Sequence, residues 1–176
     1  MKTAALSMLM LLGVATAQAR ESDARQDTEK AALAKNAPLL AAALKQTKVS
    51  LARGLKASEA AGKPISAKFE IENGKLQLSV YAAKDGKYYE VIVDQTTGKI
   101  AKTEPITGGD DLAAAKRQAQ AMAGAKRSLR EAVAQAEKAN AGFKAVRVTP
   151  QMEDGAARAS IGLLKGTEAK QADERL

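Results

Sequence analysis

The side chains that could carry out chemistry in this chain are hydroxyls, lysines and carboxylates, because the sequence has neither histidine nor cysteine. Zinc sites of the usual kind, thiol nucleophiles and histidine-based triads are therefore excluded. The adjacent carboxylates of Asp110 and Asp111 could suggest a cation site, but acidic residues before an alanine-rich stretch are also typical of a helix N-cap. Gly108 and Gly109 lack the spacing of a phosphate-binding loop. We therefore predict a protein that is not an enzyme and that uses no metal and no cofactor.

The charge pattern argues against a nucleic-acid-binding protein. The net charge is +8 at pH 7, but lysines and arginines are scattered along the chain and mixed with acids. Aromatic residues make up only 3%, so basic and aromatic residues do not alternate as single-strand binding requires. We interpret the charge as a basic, soluble surface, with weak attraction to an anionic envelope polymer or lipid headgroup as the alternative.

The first nineteen residues have the pattern of a signal peptide. Lys2 precedes the apolar run 4–14, and the small residues of Ala17-Gln18-Ala19 follow it. The run is shorter than the roughly twenty residues that span a membrane. We therefore expect cleavage after Ala19 and a periplasmic or secreted protein without a transmembrane anchor. Residues 20–37 are expected to form a flexible N-terminal segment that passes into a weak helix, which Pro38 interrupts.

Helix-forming residues dominate the next stretch, residues 38–61. Leu44, Leu51 and Leu55 are spaced so that they would share one face of a helix. Gly62-Lys63-Pro64 is expected to end this helix. The leucine-bearing face is the nearest candidate to cover the sheet that follows.

Three segments of alternating apolar and polar residues follow, at 66–72, 75–82 and 87–93. They are separated by Asn73-Gly74 and Asp85-Gly86, pairs that favour two-residue type I′ turns. The two turns imply registers that agree, because both place the same side chains of the middle segment on one face. The sequence therefore predicts a three-stranded antiparallel meander, with Phe69 opposite Leu78 and Leu78 opposite Val93. A short fourth strand is expected near Ile100.

The second half of the chain repeats this order of elements. Ser128 and Glu131 have the capping-box spacing of a helix start. Segments 144–149 and 156–164 flank Asp154-Gly155, which would align Val148 with Ile161 and Val146 with Leu163. The tail, residues 167–176, could be a charged edge strand or a frayed helix. Helix residues of the two halves, such as Ser50 and Ser128, correspond at an offset of 78 residues.

Residues 47–103 resemble a PepSY domain. In that family a leading helix precedes strands that end in a Val-Asp and Thr-Gly-Lys pattern, which is present here in 89–100 (YEVIVDQTTGKI). The resemblance implies a domain known from the propeptides of thermolysin-type metallopeptidases, where a role in restraining peptidase activity was proposed. Many members are free-standing exported proteins. Within the pattern, Asp94, Thr97 and Gly98 are expected to shape a turn.

The registers and the internal repeat, together with the resemblance, predict an α+β protein of two tandem modules, each an antiparallel β-meander packed against a helix, with alanine-rich connecting helices. The first would span residues 38–106. The second, residues 107–176, looks like a degenerate copy because it lacks the Val-Asp and Thr-Gly-Lys ending.

Tyr81, Tyr88 and Ile92 are the predicted binding residues, because they point away from the apolar face of the meander. Exposed aromatic and branched side chains can mark a contact surface, although the second module or the N-terminal helical segment could equally cover them. The predicted function is that of a non-enzymatic envelope protein that binds another protein, with a restrained peptidase as the implied partner. The alternative is a binder of anionic small molecules or envelope polymers. The oligomeric state stays open.

Overall fold

A computed structural model describes residues 9–176, and it describes side chains for Ala24 and from Gln26 onward. The predicted signal peptide therefore lies partly outside the described residues. In the described part, four helices and seven strands follow one another: α1 (Leu9–Leu44), α2 (Leu51–Ser58), β1 (Lys63–Glu72), β2 (Lys75–Lys84), β3 (Lys87–Val93), β4 (Ile100–Pro105), α3 (Gly109–Ala123), α4 (Leu129–Ala139), β5 (Lys144–Glu153), β6 (Ala156–Lys165) and β7 (Glu168–Arg175).

The first four strands form the predicted meander with its additional fourth strand. Phe69 pairs with Leu78 and Leu78 pairs with Val93, which confirms the predicted register. The two turns have positive φ at both central residues, 49° and 75° at Asn73-Gly74 and 51° and 73° at Asp85-Gly86. Those angles are the ones that a type I′ turn requires.

All seven strands belong to one antiparallel sheet with the order β4-β3-β2-β1-β5-β6-β7. The two halves of the chain meet in its centre, where Ala67 of β1 pairs with Val148 of β5 and Lys68 pairs with Arg147. The tail that could have been a strand or a helix is the edge strand β7. The protein is therefore α+β as predicted, but both halves contribute to a single sheet.

One predicted strand pair is wrong because β5 contains a bulge. Leu163 pairs with Ala145 and not with Val146, which is the additional residue between Ala145 and Arg147. A matching irregularity lies in β1 between Pro64 and Ser66. The pair Val148–Ile161 is found as predicted, because it lies on the hairpin side of the bulge.

The sheet lies between two layers of helices. Its core face carries Phe69, Leu78 and Val91, and α2 packs there so closely that a Cβ on Gly54 would be 2.5 Å from Leu78 Cδ2. Helix α4 lies beside α2 on this face and buries Leu129, Val133 and Ala136. The opposite face, called the outer face below, carries residues such as Ser66, Arg147 and Gly162.

Helices α1 and α3 cover part of the outer face. A Cβ on Gly162 would be 2.9 Å from Leu33 Cδ2 of α1, and the Arg147 guanidinium lies 3.8 Å from the Glu29 carboxylate. In α3, Gln118 accepts a 2.8 Å hydrogen bond from Ser66 of β1. Among the described residues, these helices pack against β1, β2, β5, β6 and β7, whereas neither of them packs substantially against β3.

The N-terminal helix differs from the expectation of a flexible segment interrupted at Pro38. Helix α1 continues through Pro38 to Leu44, and α2 begins only at Leu51. Leu44 therefore lies in a different helix from Leu51 and Leu55. The missing N–H of a proline weakens a helix, but the side chains of Leu33, Ala37 and Leu40 are buried against the rest of the protein. Tertiary packing thus outweighs the local signal.

In the second half, the predicted cap of α4 is confirmed, whereas the predicted N-cap of α3 is wrong. At α4, Ser128 accepts from the Glu131 amide and the Glu131 carboxylate accepts from the Ser128 amide, so the predicted capping box is present. At α3 the N-cap is Gly108, without a side-chain cap. Asp110 and Asp111 lie in the first turn, where negative charge favours the helix dipole.

Candidate functional site

The Val-Asp and Thr-Gly-Lys pattern forms a tight turn after β3. Asp94 Oδ1 accepts three hydrogen bonds, from the Thr96 amide at 3.0 Å, the Thr97 amide at 2.7 Å and the Thr97 hydroxyl at 2.9 Å. The bonds from Thr97 and then that from Thr96 lower the pKa of Asp94, because they favour the ionised carboxylate. Gly98 has φ +74° and donates its amide to the Asp94 carbonyl at 2.8 Å. The geometry is that of an Asx turn with a left-handed glycine.

This turn is connected to the helices that precede the sheet. Arg53 of α2 donates to the Thr97 carbonyl at 3.0 Å, and a Cβ on Gly98 would be 2.6 Å from Arg53 Nε. The Gln95 carbonyl accepts from the Thr47 hydroxyl at 2.8 Å and from the Lys48 amide at 2.9 Å. No local sequence pattern identifies Thr47, Lys48 and Arg53 as partners, since they lie more than forty residues away. The contacts make this turn a connector between α1, α2 and β3.

The structure places the three predicted binding residues on the outer face of β2 and β3. Tyr88 pairs with Ala83, Tyr81 with Glu90, and Ile92 with Ser79. All three side chains are half-buried. Tyr81 and Tyr88 pack partly against the core, and the Lys68 ammonium lies 5.7 Å from the centre of the Tyr81 ring.

A network of polar side chains that the sequence did not reveal lies beside them on the same face. The Lys68 ammonium is 2.7 Å from a Glu70 carboxylate oxygen, and Ser79 donates to Glu70 at 3.0 Å. Gln77 donates to the Ser79 hydroxyl at 3.0 Å and to Glu72 at 2.8 Å. Ser79 is fully buried, so its hydroxyl is not placed to attack a substrate. The network can therefore hold charge in place but is not arranged for nucleophilic catalysis.

Two groups of this network have altered acidity. Burial raises the pKa of Glu90 and the charge of Glu70 adds to this, although the nearby Ser79 hydroxyl opposes it. Burial alone would lower the pKa of Lys68, but the hydrogen bond and charge of Glu70 together with Tyr81 outweigh burial and raise it. Limited access to water is thus the main cause of the shift at Glu90, whereas at Lys68 the neighbouring acid and the tyrosine outweigh it.

The outer face of β3 continues into an uncovered edge strand. All six residues of β4 are exposed. We call the outer face of β3 together with β4 the open surface, and its members include Tyr88, Glu90, Ile92, Lys102 and Glu104. A groove of about 700 Å³ runs along it, and its acids outnumber its two lysines. The acids that line it are Glu72, Glu90, Asp94 and Glu104. This part of a basic protein is therefore acidic.

Among the described residues, no group of three or more acidic, histidine or cysteine side chains is placed to hold a metal ion. Within the same part of the chain, none of the helices combines the length and apolar character needed to cross a membrane.

The comparison with protein families identifies the first half of the chain. Residues 39–104 match the PepSY family model, described as the peptidase propeptide and YPEB domain. This segment contains α2, β1, β2 and β3, the Asp94 turn and nearly all of β4. No curated protein and no solved structure matches the chain. Residues 39–104 are therefore similar to a PepSY domain over the whole of the matched segment.

Proposed function

We propose that this protein binds another protein through the open surface and that its partner is a peptidase whose activity it restrains. The observation that carries the proposal is the exposure of every residue of β4 beside a β3 face against which, in the described part of the chain, neither α1 nor α3 packs substantially. An uncovered edge strand presents unpaired backbone groups that a partner can bind as an additional strand. The edge lies within the PepSY domain, a domain that also occurs in peptidase propeptides.

The charge of the open surface limits the kind of partner that can bind there. Its groove is acidic, so it suits a partner with a basic contact patch and repels an anionic polymer. The half-buried Ile92 side chain supplies an apolar contact within the same surface. The alternative of a protein that binds anionic ligands therefore has no support at this place.

The proposed location is the cell envelope or the exterior, after cleavage at Ala19, and the proposed role is not enzymatic. The signal-peptide pattern and the family support this location. The contacts of α1 with the sheet involve Gln26, Glu29 and Leu33, all of which follow Ala19. Cleavage at that point would leave these contacts intact.

We also propose that residues 107–176 are a degenerate second copy of the module. The hairpin turns at 73–74 and 154–155 are 81 residues apart, and so are the bulged residues Ile65 and Val146. Bulges and two-residue turns at corresponding positions support a duplication better than matching alanines do. Within residues 107–176 the proposed second copy contributes β5, β6 and β7, and the open surface belongs to the first copy.

The test is a binding and inhibition assay with purified protein that begins at Arg20. Envelope extract is passed over the immobilised protein, and retained peptidases are assayed with and without added protein. Ile92→Lys should abolish retention and inhibition, because it places a charge in the centre of the open surface. Met152→Lys is the matched control, since Met152 is an exposed apolar strand residue, 40% accessible, in the second half. Retention of no peptidase, or equal loss with both variants, would contradict the proposal.

A further inference from the structure

A second recess lies away from the open surface and shares no residue with it. It has a volume of about 380 Å³ and is located where α2 ends, β1 begins and α3 meets α4. Leu55, Met122 and Leu129 form its floor, and Pro64 and Ala125 add half-buried apolar surface at its wall. A recess of this size and apolar lining is in the range of small-molecule sites, which span about 300–1,000 Å³.

The rim of this recess is cationic. Four basic side chains line it, those of Lys63, Lys126, Arg127 and Arg130, and Glu59 is its one acidic lining residue. Glu59 is already paired with Lys56 of α2 at 2.6 Å. The acid at the rim is therefore largely neutralised by a lysine outside the recess.

Two of these cations are held in place by the protein. Lys63 donates to the Met122 carbonyl at 2.9 Å, close to the C-terminal end of α3. Arg127 donates to the Arg175 carbonyl at 3.2 Å and lies 3.6 Å from the Glu174 carboxylate. For Lys126 and Arg130, no carboxylate of the described residues lies within ion-pairing distance.

The nearby N-terminus of α4 does not supply the anion-binding groups. The Ser128 hydroxyl accepts from the Glu131 amide, and the Glu131 carboxylate adds a negative charge to the first turn, which opposes an anion there. The positive charge at the rim therefore comes from side chains, three of which have no carboxylate partner among the described residues.

We propose that this recess binds a small amphipathic carboxylate, such as a medium-chain fatty acid anion. The apolar chain lies on Leu55, Met122 and Leu129, and the carboxylate is bound among Lys63, Lys126 and Arg130. The cations favour an anionic group, and the apolar floor favours a hydrocarbon body over a compact, fully hydrated anion. This site does not depend on the protein-binding role, because it lies outside the open surface.

The test is calorimetric titration of the protein with decanoate at neutral pH, with decanol as the uncharged comparison. We expect saturable binding of decanoate with a dissociation constant below about 1 mM, and binding of decanol that is about tenfold weaker or more. The double variant Lys126→Gln/Arg130→Gln should lose about tenfold in affinity for decanoate. Ala125→Phe should weaken binding of both compounds, because its ring fills the apolar part of the recess.

The matched control is Lys116→Gln/Arg117→Gln, which removes the same two types of charge from exposed positions of α3 that do not line the recess. It should retain the affinity of the unmodified protein. Equal losses in both double variants would show that net charge alone attracts decanoate and would overturn the proposal. Absence of saturable binding, or equal affinity for decanol, would overturn it as well. Thermal unfolding of each variant verifies that the fold is intact.

Discussion

At the residue scale, the turn after β3 depends on Asp94, because its Oδ1 atom accepts three hydrogen bonds from Thr96 and Thr97. Its folded-state pKa is lowered, so its stabilising contribution is present above the ordinary value of 3.8 and is lost as pH falls through the lower folded-state value. Asp94→Ala should lower the melting temperature at pH 7, and the difference from the unmodified protein should shrink below pH 3.8.

The control for this prediction is Asp94→Asn, whose side-chain oxygen can still accept the bonds from Thr96 and Thr97. It should retain much of the stability at pH 7, without the acid-dependent change. Thermal melts between pH 2.5 and 7 measure both effects. A constant difference between Asp94→Ala and the unmodified protein over this range would show that the ionised carboxylate contributes nothing.

The pKa shift of Glu90 has the opposite sign to that of Asp94, because burial raises it. The folded protein favours the protonated Glu90 carboxyl. The stability that this group contributes is therefore present below its ordinary pKa of 4.5 and is lost as pH rises through its raised folded-state pKa. Glu90→Gln should therefore stabilise the protein at pH 7 and have little effect at pH 3.5. The gain should stay below about 1 kcal/mol, since solvent screens a half-exposed group.

Denaturant melts at the two pH values measure this gain. Glu168→Gln is the control, because it removes an exposed carboxylate at the start of β7, far from the network around Ser79. The interpretation of Glu90 would be wrong if both variants changed stability equally at pH 7.

At the scale of elements, the close contact of α2 with the sheet depends on a missing side chain. Gly54 is buried, and a Cβ there would be 2.5 Å from Leu78 Cδ2, while Leu78 has no exposed surface. Gly54→Ala would ordinarily favour a helix by about 0.5–1 kcal/mol, but overpacking in a core costs about 1–3 kcal/mol. We expect a net loss of about 1–2 kcal/mol in the free energy of unfolding.

Gly124→Ala, at the end of α3, is the matched control for this prediction. Its φ of −89° suits any residue, and no atom lies within 4 Å of an added Cβ. This variant should be neutral or more stable by up to about 1 kcal/mol. Urea melts compare the two, and equal effects would show that α2 can move away from Leu78.

At the scale of the whole molecule, the β1–β5 pairing joins both halves in one sheet with a continuous core. We therefore expect a single cooperative unfolding transition. Leu55→Ala in the first half and Leu163→Ala in the second should each lower the free energy of unfolding by about 2–5 kcal/mol, because both leucines are buried.

The three tyrosines all lie in the first half of the chain. For each variant taken by itself, circular dichroism and tyrosine fluorescence should give the same transition midpoint. Separate midpoints, or a Leu163→Ala variant that leaves the tyrosine transition unchanged, would show that the halves unfold independently.

The local features of this fold follow from the amino-acid sequence alone. Turn pairs such as Asn73-Gly74 and the alternation around them set the registers of β1, β2 and β3, because a slip by one residue would expose the apolar side chains. The Ser128–Glu131 capping box and the PepSY pattern around Asp94 are also local, since their partners lie within a few residues. For the site, the sequence identified Tyr88 and Ile92 as outward-facing residues.

How these parts meet depends on packing between distant segments of the chain. The β1–β5 pairing, the passage of α1 through Pro38 and the bulge at Val146 depend on packing between segments that are distant in the chain, which no periodicity reveals. The acids of the open surface and the cations around the recess near Leu55 are likewise scattered in sequence. They become sites because the sheet and the helix layers bring them together, and because burial then changes how strongly their charges act.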